Sequence, residues 1–309
     1  MNVIFFGTSS FGIPVLEALK RVHSLLAVVT TPDKPSGRHL KPQPSPVKQW
    51  AQANGVPAHD YLAKEPSAIL PPLKGMRPDV FLVVSFGALL KSDFLSAPRH
   101  CCLNIHASLL PKYRGASPMQ AALLNGDRGT GVSVMRMIER LDAGDVLLQK
   151  NIPVSSDDNI LSLQARLSTL GAEAALEALD QLERGTARYT VQDEMGATYT
   201  RKIAKSEGRI EWPSNAWDIH HRVSAFLGWP GAHFFFRGKR ILAWRSEIMD
   251  GPQSGAPGTV TDVSERGLAV TAGSGTGLRL LELQLEGKKR LLWTEFRKGF
   301  AIKTGDVLE

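Results

Sequence analysis

Residues 1–32 read MNVIFFGTSSFGIPVLEALKRVHSLLAVVTTP, and this opening decides the fold. Val3-Ile4-Phe5-Phe6 is a short apolar run that stops at Gly7. Apolar residues then recur at helical spacing through Ile13, Val15, Leu16 and Leu19, and Leu25-Leu26-Ala27-Val28-Val29 forms a second apolar run. Runs without polar alternation fit strands covered on both faces, so the opening reads as strand, helix, strand of a parallel sheet. Working outward, 80–84 and 102–105 repeat the apolar run, with helices expected at 47–54 and 66–74 between them. Two further strands are expected over 131–137 and 146–154, then a long helix over 159–183 that ends at Arg184-Gly185-Thr186. The expected fold of 1–190 is therefore an open, mostly parallel α/β sheet.

Beyond residue 191 the texture changes. The stretch 191–208 is polar and aperiodic, as a linker would be. From 209 to 309, short β-like runs broken by Gly and Pro, with one helix at 217–226, suit a small barrel or sandwich. A chain of 309 residues has room for these two domains. No run approaches the length of about 18 apolar residues that spans a bilayer. The N-terminus reads as a first strand rather than a leader, which points to a cytoplasmic, bacterial setting. Cys101 and Cys102 are adjacent, so neither an ordinary disulfide nor a cysteine metal cluster is expected, and no metal is called for.

Gly7-Thr8-Ser9-Ser10-Phe11-Gly12 follows a strand and opens a helix, the context of a dinucleotide site. Its second glycine position is occupied by Ser9, and Thr30-Thr31-Pro32 ends the second strand without an acidic ribose ligand. A tight strand-to-helix turn is the better reading. The polar cluster after the fourth strand is more informative. Alternation puts Asn104 and His106 on one face of the strand, at the carboxyl end where parallel sheets bind ligands. An amide and an imidazole there can stabilise negative charge developing on a carbonyl oxygen. Asp142, in Leu141-Asp142-Ala143-Gly144-Asp145, suits either orientation of His106 or acceptance of a proton from an amine, and equally a turn position beside glycine.

Taken together and in order, Asn104-Ile105-His106, Ser108-Leu109-Leu110-Pro111-Lys112-Tyr113-Arg114-Gly115 and Leu141-Asp142-Ala143-Gly144-Asp145 resemble the signature of the folate-dependent formyltransferases and hydrolases. The resemblance implies a Rossmann-like catalytic domain, a catalytic trio of Asn104, His106 and Asp142, and 10-formyltetrahydrofolate as formyl donor. It implies a folate crevice made by Phe86, Gly87, Leu89 and Leu90, by Ser108, Leu109, Leu110 and Pro111, and by Asp142 and Asp145. Along nearly the whole chain the likeness is to members that formylate the α-amino group of methionyl initiator tRNA for translation initiation. Their inserted loop resembles 31–48, and their tail implies an OB-like barrel over 209–309. A monomer is implied by the same likeness.

The net charge of +7 agrees with a polyanionic partner. It divides almost evenly, +4 over 1–190 and +3 over 191–309, so clustering carries the information. Lys34, Arg38, Lys41 and Lys48 lie in a stretch that five prolines stiffen, suited to an RNA acceptor stem. Arg201 and Lys202 in the link, and Arg237, Lys239 and Lys288 in turns of the second domain, complete the expected tRNA contacts. Formylation of a small amine, or RNA binding without catalysis, are the competing readings. The C-terminal third argues against the first and the complete trio against the second.

Overall fold

The computed structural model describes residues 1–36, 41–62 and 64–309. In chain order the elements are β1 (Asn2–Gly7), α1 (Ile13–Val22), β2 (Ser24–Thr30), β3 (Lys34–Ser36), β4 (Lys41–Gln43), α2 (Pro46–Asn54), β5 (Ala58–Asp60), α3 (Leu70–Gly75), β6 (Val80–Val84), α4 (Ser92–Leu95), β7 (Cys101–His106), β8 (Arg114–Gly115), α5 (Pro118–Leu124), β9 (Gly129–Arg136), β10 (Val146–Pro153), α6 (Ile160–Glu183), β11 (Tyr199–Thr200), α7 (Ala216–Ala225), β12 (His233–Phe236), β13 (Lys239–Met249), β14 (Val260–Asp262), β15 (Leu268–Thr271), β16 (Gly277–Leu285), β17 (Leu291–Leu292) and α8 (Trp293–Gly299). They group into two compact units. One comprises Met1–Pro118, Gly129–Val154 and Leu163–Arg201, the other Met119–Arg128, Ser155–Ser162 and Lys202–Glu309.

The first unit is built on a seven-stranded sheet in the order β10-β9-β7-β6-β1-β2-β5. β7, β6, β1, β2 and β5 run parallel, while at one edge β9 runs antiparallel to β7 and β10 antiparallel to β9. Val3, Ile4, Phe5 and Phe6 are wholly buried, as a central parallel strand requires. α1 carries Val15, Leu16, Ala18 and Leu19 inward at helical spacing, with Pro14 in its first turn and Lys20 and Arg21 in its last. α2 is capped by Ser45, whose side chain accepts from Lys48 N, and ends at Gly55 in the left-handed region. One face of the sheet rests on an aromatic cluster of Phe6, Tyr61, Phe81, Phe86 and Phe94. The chain winds outward from β1 in both directions, so the crevice of such a sheet lies at the carboxyl ends of β1 and β6, beside β7. There Thr8 Oγ1 donates to the Phe86 carbonyl, 3.1 Å, and Ser9 Oγ donates to Ser85 Oγ, 2.9 Å.

The second unit is an antiparallel sheet in the order β12-β13-β16-β15-β14. β15 pairs with the first half of the long β16, and β17 with Glu282 and Leu283 further along it. Its core gathers Trp212, Phe234, Phe236, Ile241, Val270, Leu278, Leu280 and Trp293, with Ile219 and Val223 of α7 packed in. The ladder closes through residues 305–309. Gly305 N and Leu308 N donate to Val260 and Gly258 on the β14 side, and Glu309 exchanges two backbone hydrogen bonds with Phe235 of β12. Both edge strands of the open path are thereby bonded to one short segment.

The expected linker behaves differently from its composition. Residues 192–200 are bound into the first unit, where β11 pairs in parallel with β8, Tyr199 against Arg114 and Thr200 against Gly115. Thr198 adds bonds to both sides: its N donates to the Pro111 carbonyl and its carbonyl accepts from Arg114 N. The ordering comes from partners some 80 residues away, and local periodicity carries no trace of it.

Candidate active site

β7 delivers two side chains to the carboxyl end of the sheet. Asn104 pairs across the ladder with Val83 and Met135 and is half-buried, and among the described residues its amide has no protein partner. His106, two residues on, is buried. Its Nε2 lies 2.9 Å from the Tyr113 carbonyl, which can only accept, so Nε2 carries a proton and Nδ1 is the nitrogen left for other work. Nδ1 faces Asp142 Oδ2 at 3.7 Å. Asp142 stands in the left-handed region at φ 49, and its Oδ2 accepts from Gly115 N at 2.7 Å. The trio is thus brought together, with His106 braced on one side by a carbonyl and facing a carboxylate on the other.

The bracing segment, 108–115, is held by polar groups that sequence reasoning missed. Ser133 Oγ donates to the Ser108 carbonyl, 2.7 Å, and accepts from Leu110 N, 2.9 Å. Gln149 Nε2 donates to the Leu110 carbonyl and to Ser133 Oγ, both at 2.8 Å. Ser108 Oγ donates to the Lys112 carbonyl. Tyr113, at φ 61, turns its carbonyl toward His106. Gly115, at φ 111, has no room for a side chain, because a Cβ would run into the Thr200 carbonyl. Ser133 and Gln149 face each other across β9 and β10 in register, a pairing visible in sequence only once the hairpin is known.

Arg114 is the largest polar side chain wholly withdrawn from solvent, at 0% exposure. Its Nε donates to Gln192 Oε1 at 3.0 Å, Nη1 to Glu194 Oε2 and Tyr199 OH at 3.2 and 3.0 Å, and Nη2 to Glu194 Oε1 at 3.0 Å. Hydrogen bonding to Arg114, then to Arg140, holds the Glu194 carboxyl below its usual value, and the Glu194 bond is the main cause of the raised Arg114 value. Gln192 Nε2 in turn donates to the Asp142 and Gly144 carbonyls.

The expected folate-crevice residues divide by role. Phe86 and Leu90 are core side chains, Phe86 edge-on to Phe6 and Tyr61, so the ring of Phe86 is not a crevice wall. Gly87 takes φ 77, and Leu89, 69% exposed, offers its side chain outward while its carbonyl accepts from Tyr61 OH. Ser108 and Leu110 are buried, and Leu109 and Pro111 are half-buried. The Asp145 carbonyl accepts from Arg136 N, and its carboxylate has no partner among the described residues.

Of the expected tRNA contacts, Arg38 lies outside the described residues, as do the side chains of Lys34 and Lys41. The backbones of Lys34 and Lys41 sit in the β3–β4 pair. The Lys48 ammonium bridges Asp33 and Asp60 at 2.8 and 3.0 Å, and hydrogen bonding, to Asp33 first, raises its pKa. Arg201, Lys202, Lys239 and Lys288 are exposed. Arg237 is exposed too, lying over Phe236 and 3.6 Å from Asp306.

The chain belongs to the formyl transferase family: the family's profile matches residues 1–179, and that of the formyl transferase C-terminal domain matches 202–301. It is thus an enzyme of formyl transfer. Among curated relatives it is 42% identical to the methionyl-tRNA formyltransferase of Coxiella burnetii over 290 residues, 94% of this chain and 92% of that protein. It is 40% identical to the methionyl-tRNA formyltransferase of Thermus thermophilus over 308 residues, 100% of this chain and 99% of that protein. Solved structures share the fold. HypX from Aquifex aeolicus in complex with tetrahydrofolic acid aligns with a TM-score of 0.66 at 18% identity, over 99% of this chain and 50% of that one. The methionyl-tRNA formyltransferase from Clostridium thermocellum aligns with a TM-score of 0.56 at 14% identity, over 81% and 95%.

Proposed function

We propose that this enzyme transfers the formyl group of 10-formyltetrahydrofolate to the α-amino group of methionyl initiator tRNA, giving formylmethionyl-tRNA for translation initiation. The observation that carries the reading is the convergence of Asn104, His106 and Asp142 at the carboxyl end of β7, with the Asn104 amide unspent on the protein. The two relatives at 42 and 40% identity support the choice of acceptor. The folate supplies a formyl carbon open to attack by an amine. Asn104 donates a hydrogen bond to the formyl oxygen as it gains charge, a contact worth roughly 3–4 kcal/mol in comparable sites. His106 works through Nδ1, the nitrogen that Tyr113 leaves available, which donates alongside Asn104 when the ring carries a proton on both nitrogens. Asp142 takes up the proton released by the attacking amine and returns it to the folate nitrogen as the bond between that nitrogen and the formyl carbon breaks. The crevice residues present fit a pterin. Among the described residues, the backbone N–H groups of Gly87, Ala88 and Leu89 donate to no protein group, and the exposed Leu89 side chain offers an apolar flank.

For the RNA we infer contacts from Lys34, Arg38 and Lys41, from Arg201 and Lys202, and from Arg237, Lys239 and Lys288, through phosphates and therefore sensitive to salt. The catalytic domain in this reading spans 1–190 and the RNA-binding domain 209–309. The product feeds the ribosome, which argues for a cytoplasmic enzyme, and we take it as a monomer, to be checked by sedimentation. The deciding assay gives purified enzyme 10-formyltetrahydrofolate with methionine-charged initiator or elongator tRNA. Formylation confined to the initiator supports the reading, and its absence sinks it. His106→Ala removes most activity while tRNA binding persists, whereas Arg38→Ala with Lys41→Ala weakens binding, more so as salt rises.

A further inference from the structure

Gln192 lies in the stretch whose composition reads as linker, yet its side chain is buried and both ends of its amide are spoken for. Oε1 accepts from Arg114 Nε at 3.0 Å. A guanidinium can only donate, so the oxygen must face it, and the two protons of Nε2 are left for the carbonyls of Asp142 at 2.9 Å and Gly144 at 2.7 Å. Those carbonyls belong to the turn that holds Asp142 at φ 49, a conformation that a residue with a side chain adopts only when its surroundings impose it. Gly144 is pressed so closely on Arg136 that a Cβ would meet the Arg136 carbonyl. On the other side, Gly115 N fixes the Asp142 carboxylate at 2.7 Å. Two tethers thus fix Asp142 against His106: Gly115 on its carboxylate and Gln192 on its backbone. Both tethers root in one segment, since Gly115 adjoins Arg114 and Arg114 orients Gln192.

We propose that Gln192 is a positioning residue for catalysis, setting the Asp142 backbone so that the carboxylate meets Nδ1 of His106, with Arg114 fixing which way its amide points. The inference rests on the catalytic role proposed above for Asp142. Among the described residues the side-chain contacts of Gln192 are all internal, so its loss acts on the rate of the bound complex rather than on substrate binding.

The test is Gln192→Glu in the full-length enzyme. This change keeps the size and the acceptor that Arg114 faces, but replaces the donor to the two carbonyls with an oxygen that repels them. The expected result is a kcat lower by about 100-fold, the scale of an ångström-sized displacement of a catalytic group, with KM for formyl donor and charged tRNA each within about twofold. Relative to the parent enzyme, activity recovers as pH falls, because the protonated acid regains a donor. On an Asp142→Asn background the same change adds little further loss, since the group it positions is already disabled. Gln192→Met, which removes both ends of the amide, gives the same split between kcat and KM should the glutamate variant fold poorly. A kcat near the parent value in both variants overturns the proposal, as does a full loss repeated on the Asp142→Asn background. An Asp142→Asn enzyme with the parent rate would instead overturn the catalytic reading, and this inference with it.

Discussion

Replacing Arg114 with methionine asks what the one guanidinium wholly buried among the described residues contributes. Three partners lose a donor, and their exposures decide the outcome. Glu194 is half-exposed and keeps Arg140 at 2.9 Å, so water and a second cation replace what it loses. Tyr199 is 64% exposed, and its hydroxyl turns to solvent. Gln192 is buried, and its Oε1 is left without a donor, a desolvation cost of about 1–3 kcal/mol. Methionine fills most of the space, and the desolvation of the guanidinium is no longer incurred, which offsets part of the loss. A net destabilisation of about 2 kcal/mol follows, which lowers the melting temperature of a unit of this size by roughly 4–8 °C. Scanning calorimetry on the full chain measures it, with Glu194→Ala as comparator. That variant should melt less far below the parent than Arg114→Met does, because the carboxylate it removes is half-exposed and Gln192 and Tyr199 still accept from the buried guanidinium. Were Glu194→Ala to lower the melting temperature as far as Arg114→Met, the ion pair would be the dominant contact and the reasoning from the buried acceptor would be wrong.

Three further expectations follow from the same geometry. Asn104→Ala should lower kcat by about 10²–10³ while leaving thermal stability unchanged, since the lost amide bonds no protein group, and a stability loss in calorimetry would show a structural role instead. Burial pushes the Cys101 and Cys102 thiols up, so neither should react with iodoacetamide at neutral pH in the folded enzyme, while both react in denaturant; rapid native labelling followed by mass spectrometry would contradict this. Burial, and then the neighbouring His221, lowers the pKa of His220 from 6.5, so its contribution is complete above that value and is lost as pH falls through the lowered one. His220→Gln should flatten the pH dependence of stability between about pH 7 and 5, and an unchanged slope in urea titrations would exclude His220 as its source.

The parallel sheet was legible because a strand buried on both faces has to be apolar at every position, and that demand is local: the runs at β1, β2, β6 and β7 announce themselves without knowledge of their neighbours. Asn104 and His106 were legible for a related reason, as polar residues at the end of such a run where burial alone would have chosen valine. The support of the site was not legible. Gln192, Glu194 and Thr198 are ordinary polar residues whose roles come from Arg114 and Pro111, brought close only by the folded chain. Phe86 fell beside the crevice in sequence but turned into the core because Phe6 and Tyr61 offered edges to its ring. Lys48 shared a basic stretch, yet helix α2 aims it at Asp60, a residue outside that stretch.

The closure of the second unit through residues 305–309 has a consequence for handling the protein. With that segment in place, β12 at Phe235 and β14 at Val260 are bonded on their outer edges to one strap of the same chain. Cutting the strap bares two unpaired rims at once, each of them a template on which another molecule can add a strand. A variant lacking residues 305–309 should therefore come out of expression as larger soluble multimers or precipitate rather than as a merely less stable form of the parent. Light scattering on such a variant would reveal the strap as a guard against self-association.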